Sequence, residues 1–271
     1  KRSLLVALPL GIIQVINVVY FKVDSVILSV IRHPQDVAHY GVAYKVIELV
    51  MALPSFFMTA LMPALVVAAR PRLRELVQQA WDVLITVAVA VTVVGFLFAR
   101  SIVVFVSSHS FVPAVTPLRL LLVGAGASFV SAVYGNALVA VDEQRRLVPL
   151  TVVVTTTNLA LNLALVPHYG AEGAAAAMAA TELLAMVYVS RVFRSLTESK
   201  VRTVQLPRTL LGGAVMVGLW AVLRHGGFLD SDSIGVAAAA SLGLLAAYGA
   251  TVFAVGGRPP ALRRWMARGE G

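Results

Sequence analysis

The chain has 271 residues, 59% hydrophobic and 13% charged, and its mean hydropathy is +0.87, a balance that excludes a soluble globular domain and places the polypeptide in a membrane. It contains no cysteine, so it carries no disulfide, thiolate metal site or cysteine nucleophile. The net charge of +9 gathers in loops between apolar runs, where no aromatics interleave with it, which is the pattern of membrane topology rather than of nucleic-acid binding.

Crossing about 30 Å of hydrocarbon takes roughly 20 apolar residues of helix. Runs of that kind predict eight crossings, at 3–31, 37–66, 79–106, 114–140, 146–166, 171–193, 208–224 and 233–256. The connections alternate in charge. Lys1 and Arg2, ARPRLRE, DEQRR, SRVFRSLTESKVRTVQLPR and GGRPPALRRWMARGEG fall on one side, whereas RHPQD, SSHSFVPA, VPHYGAE and RHGGFLDSDS on the other add only Arg32 and Arg224. The positive-inside rule puts the first set, and both ends of the chain, in the cytoplasm. The longest connection divides the chain into six helices (1–193), a cytoplasmic linker (194–207), a final helix pair (208–256) and a basic cytoplasmic tail (257–271).

Several charges fall inside the spans, where a charged side chain at a helix centre costs at least about 2.5 kcal/mol and so faces protein or water. Lys22 and Asp24 lie on the first helix, and Lys45 and Glu48 share a face of the second at comparable depth. Three arrangements fit: a dry ion pair that fixes helix register; a hydrated cavity in which the lysines hold an anionic substrate and a carboxylate binds a coupling ion, either a proton or Na+; or snorkelling to the interface, for which Asp24 is too short. Being two residues apart, Lys22 and Asp24 cannot both face one point squarely. Arg119 sits where it can either snorkel or enter the cavity, and Arg100 reads as an interface anchor. Glu182, in the alanine-rich GAAAAMAATE stretch, is either a pocket carboxylate or a packing residue; Asn158 and Asn162, one turn apart, are explained by interhelical hydrogen bonds.

Enzyme signatures such as HExxH, GxSxG or a Walker loop are missing from the sequence, and its histidines are too scattered to propose a metal cluster. No cofactor is expected beyond the coupling ion.

The motifs nevertheless occur in a familiar order. ALPLGIIQVINVVYFKVDSVILSVI, then VAHYGVAYKVIELVMALPSFFMTALMPAL, NALVAVDEQRR and TTTNLALNLALVPHYGAEGAAAAMAATELL, together resemble the C-terminal half of Wzx-like bacterial polysaccharide flippases of the multidrug/oligosaccharidyl-lipid/polysaccharide superfamily. The resemblance implies an all-α polytopic membrane protein, one lobe of a MATE/MurJ-like two-lobe transporter with a six-helix bundle and a peripheral pair. It implies a non-enzymatic flippase in the bacterial cytoplasmic membrane that moves a polyprenyl-pyrophosphate-linked oligosaccharide outward by alternating access. Lys22, Lys45 and Arg119 would hold the substrate, and Asp24, Glu48 and Glu182 would be coupling or ion-pair carboxylates. The expected partners are the glycolipid, membrane lipids, and either an N-terminal lobe of the same protein or a second copy, with no nucleic acid. The competing readings are a drug or cation antiporter of the same superfamily and a membrane-embedded glycosyltransferase or polymerase.

Overall fold

The computed structural model describes residues 23–197, 203–227 and 234–255; Lys22 and the basic tail lie outside them. The described residues form helices and turns without a strand. In order they are α1 (23–31), α2 (Pro34–Val66), α3 (Arg70–Leu97), α4 (Ala99–Val106), a 3-10 turn (His109–Ala114), α5 (Val115–Ala140), α6 (Leu147–Thr197), α7 (Gln205–His225) and α8 (Ile234–Ala254).

Six helical stretches among the described residues are long and apolar enough to cross a membrane. One of them, α6, is two crossings in one. At Gly170 the backbone takes φ 54° and ψ −129°, a conformation closed to side chains with a Cβ, and the helix turns back on itself. The pairing of Asn158 with Thr181 across the turn shows two antiparallel arms meeting about it. Proline at 167 supplies no backbone N–H to the end of the first arm.

Hydropathy locates the crossings, and the helices run beyond them. The polar stretch from Arg70 continues α3 out of the apolar layer, with an Arg72–Glu75 ion pair at 2.8 Å on its surface. The predicted span 79–106 is broken at Phe98, where α3 ends and α4 begins. Arg119 explains the break: its Nε donates to the Phe96 carbonyl at 3.2 Å, and a side chain inserted into the carbonyl ladder is a recognised cause of a helix kink.

Within a bilayer, helices associate through close packing rather than through a hydrophobic driving force, so small residues at contacts matter. Here α5 is the central post, packed against α2, α3 and both arms of α6. A Cβ added at Gly124 would lie 2.9 Å from the Ala179 Cα, so α5 and the second arm touch backbone to backbone. Tyr134, Phe129, Trp81 and Phe193 fill the core near the arginine-rich end, which carries Arg70, Arg72, Arg74, Arg145 and Arg146. Leu28, Tyr40, Ile47, Leu118 and Leu121 fill the core toward Arg32. The α7–α8 pair packs on α3 through Met216, Leu244 and Tyr248, whose hydroxyl donates to the Thr86 carbonyl at 2.8 Å.

Candidate functional site

Asp24, near the start of the described part of α1, is 2% exposed. Each of its oxygens meets one neutral donor. Tyr40 of α2 donates its hydroxyl to Oδ2 at 2.9 Å, and Asn162 of α6 donates Nδ2–H to Oδ1 at 2.7 Å. The Asn162 amide is shared further, its Nδ2 lying 3.0 Å from the Asn158 carbonyl oxygen and 3.1 Å from Asn158 Oδ1. Asn158 Nδ2 in turn reaches Thr181 Oγ1 on the second arm at 3.4 Å, and Thr181 donates to the carbonyls of Ala177 and Met178, both at 2.9 Å.

The local sequence builds this pocket in three steps. Asn158 and Asn162, one turn apart, share the inner face of the first arm. The Gly170 turn brings Thr181 level with Asn158, and alanines at 174, 175, 177 and 179 let the second arm approach. The short α1–α2 connection, 32–33, then sets Tyr40 beside Asp24, with Tyr44 stacked on Tyr40 at 5.8 Å between ring centres.

Three acceptors compete for the two protons of Asn162 Nδ2, while Asn162 Oδ1 is buried without a partner among the described residues. A single carboxylate is thus encircled by carbonyl, carboxamide and hydroxyl oxygens deep in an apolar bundle, and among the described residues no arginine or lysine forms an ion pair with it. A carboxylate buried among neutral donors is stabilised by one added positive charge, and hard cations take oxygen ligands of these types. The arrangement can therefore hold a proton or one small cation.

The other predicted residues are dispersed. Lys45 and Glu48 are exposed on α2 and do not pair with each other among the described ion pairs; on the same face Leu49 and Phe56 are 75% and 74% exposed. Tyr44, partly buried and stacked on Tyr40, stands one turn before Glu48 on α2. Glu182 is buried directly after Thr181. Arg119 caps the Phe96 carbonyl and stands 4.9 Å over the Phe96 ring, which assigns it a helix-end role at the Arg32 side of the bundle. Arg100 is exposed at the start of α4.

Sequence reasoning did not find Tyr40 and Thr181, and it read the two asparagines as helix-to-helix packing. The signal was present: an in-span carboxylate needs donors, and two asparagines sharing a face can supply them.

A family model described as MatE matches residues 9–164, more than half of the chain, and includes Asp24, Tyr40, Asn158 and Asn162. The chain belongs to the MatE family. With it, this MatE protein is a multi-pass membrane protein of the multidrug/oligosaccharidyl-lipid/polysaccharide superfamily. Among solved structures it is similar to the one titled "Lipid II flippase MurJ, inward closed conformation", with a TM-score of 0.71 at 11% identity over 87% of this chain and 51% of that one. The likeness is one of fold, and this MatE chain spans about half the length of that structure. No curated protein matches the sequence.

Proposed function

We propose that this MatE protein forms one lobe of a flippase that moves a polyprenyl-pyrophosphate-linked oligosaccharide from the cytoplasmic to the outer leaflet of a bacterial plasma membrane. In this reading the arginine-rich end faces the cytoplasm. A cation or proton bound at Asp24 drives alternating access, and the exposed face of α2 meets the partner lobe across a hydrated cavity. The partner lobe is either an N-terminal half of the same protein or a second copy.

The observation that carries the proposal is the exposed Lys45–Glu48 face. Lys45 is eleven residues along α2 from Pro34, about 16 Å from that end of a 33-residue helix, and so near the bilayer middle. An ammonium facing lipid there would cost at least about 2.5 kcal/mol, so the face meets water or protein. A lysine in a wet cavity suits a pyrophosphate, whose charge cannot cross hydrocarbon unaided. Lys22, two residues before Asp24 in the sequence, lies outside the described residues and is tested beside Lys45. The likeness to a lipid II flippase fold is compatible with a lipid-linked substrate.

The buried carboxylate favours a second reading, a cation-coupled drug antiporter, in which Lys45 has no substrate to hold. Lys22→Ala and Lys45→Ala in the intact protein separate the two. Surface polysaccharide should fall in both variants at unchanged membrane level, and Lys45→Arg should retain more than Lys45→Ala. Full polysaccharide export in both alanine variants would remove the cavity assignment.

A further inference from the structure

One face of the first arm of α6 is polar from Thr151, about 6 Å inside the start of the arm, to Asn162 beside Asp24. Thr151, Thr155, Asn158 and Asn162 follow at intervals of four, three and four residues, which at 100° per residue confines them to an arc of about 60°. Their burial deepens along the arm: Thr151 and Thr155 are partly buried, and Asn158 and Asn162 are fully so. At 1.5 Å per residue, Thr155 lies about 12 Å from the start of α6 at Leu147 and about 10 Å from Asn162. The facing arm presents Thr181 with alanines one turn to either side, Ala177 and Ala185.

Two oxygens on this face have no partner among the described residues although both are buried: Asn162 Oδ1 and Thr155 Oγ1. Turning the Asn162 amide over does not remove the first orphan, because it would set Oδ1 against the Asp24 carboxylate that Nδ2 now meets at 2.7 Å. Thr155 differs from its neighbours. Thr151, Thr156 and Thr181 each donate to a carbonyl one turn earlier, at 2.9, 2.7 and 2.9 Å. Buried polar oxygens are satisfied by protein or by ordered water, so two orphans in line on one face mark places where water or an ion completes the bonding.

We propose that Thr151, Thr155, Asn158 and Asn162 line a water-filled route through which the cation held at Asp24 exchanges with the cytoplasm, inside the lobe and separate from the cavity on α2. The inference rests on the cation reading of Asp24 given above. Along the route a monovalent cation or a proton meets a hydroxyl or carboxamide oxygen at each helical turn, and the asparagines pass it to the carboxylate. Thr155 stands midway, where the pocket and the cytoplasmic end are each too far for one water to span.

Because these residues contain no cysteine, single thiols report water directly. Thr155→Cys and Thr151→Cys would be placed in the whole transporter, with any cysteine elsewhere removed, and Leu159→Cys, on the exposed side of the same arm, would serve as control. A membrane-impermeant methanethiosulfonate is added to inverted and to right-side-out vesicles. The route predicts modification at least about tenfold faster in inverted vesicles for both threonine positions than for the control, since a thiol in apolar surroundings keeps its proton and reacts slowly. Modification should also slow exchange of radioactive Na+, or of protons read by an internal dye, to a similar degree. The parallel variant Asp24→Asn should abolish that exchange. Inert or outside-only cysteines at both positions, with Asp24→Asn still abolishing exchange, would overturn the route and leave the cation site standing. Reactive cysteines with exchange unchanged in Asp24→Asn would instead overturn the cation assignment, and with it the use of this path by a cation.

Discussion

Gly124→Ala tests the contact that holds the second arm of α6 in place. The new Cβ would meet Ala179 Cα at 2.9 Å and Ala179 N at 3.5 Å; the first of these is backbone and cannot rotate away, so α5 and the arm must part by about half an ångström to restore ordinary contact. Overpacking of this kind costs about 1–3 kcal/mol, and in a bilayer no hydrophobic gain offsets lost packing. Two other glycines of α5 calibrate the effect. At Gly126 the Cβ would meet Thr92 Oγ1 at 2.9 Å, the tip of a side chain that can turn, and at Gly135 nothing lies within 4 Å. Thermal unfolding in detergent, followed by tryptophan fluorescence, should rank Gly124→Ala lowest, about 2–10 °C below the parent, with Gly126→Ala between and Gly135→Ala unchanged or higher. Since Ala179 is two residues from Thr181, cation exchange should weaken in the same variant. Equal melting of Gly124→Ala and Gly135→Ala would refute the backbone contact.

Tyr40→Phe removes the donor to Asp24 Oδ2 and should destabilise the cation-free protein by about 1.5–3 kcal/mol, a loss that a double-mutant cycle with Asp24→Leu should erase, both read by thermal unfolding. Gly170→Ala forces a Cβ into the turn at φ 54° and to 3.0 Å from Arg32 Nη2 and Asp36 Oδ2; the expected cost is about 1–3 kcal/mol. Arg32→Ala, which breaks only the part-exposed Arg32–Asp36 pair and a 3.4 Å bond to the Pro167 carbonyl, should cost about 1 kcal/mol or less in the same assay. Asp142 closes α5 at φ 61°, where its amide reaches the Val139 carbonyl and that of Glu143 reaches Leu138, so Asp142→Gly should raise stability by about 1 kcal/mol.

Hydropathy was enough to establish an all-helical membrane protein, because a span of roughly 20 apolar residues is a local property of the chain; the placement of arginines is local too, and carries the expected orientation of the helices. The Tyr-Gly punctuation at 169–170 likewise marked the turn between the two arms of α6, since few residues other than glycine tolerate that backbone. Partnership was decided only in three dimensions. Four in-span charges at one depth look alike in sequence, yet the fold buries Asp24 among Tyr40, Asn162 and Asn158 while leaving Lys45 and Glu48 on an exposed face. Arg119, a candidate cavity cation in the sequence, meets the Phe96 carbonyl only because α3 and α5 come together. Side-chain type fixes what a group needs, a donor, a counter-charge or water; which of these it meets depends on helix rotation and on the approach of residues more than a hundred positions away, as Asp24 and Asn162 are.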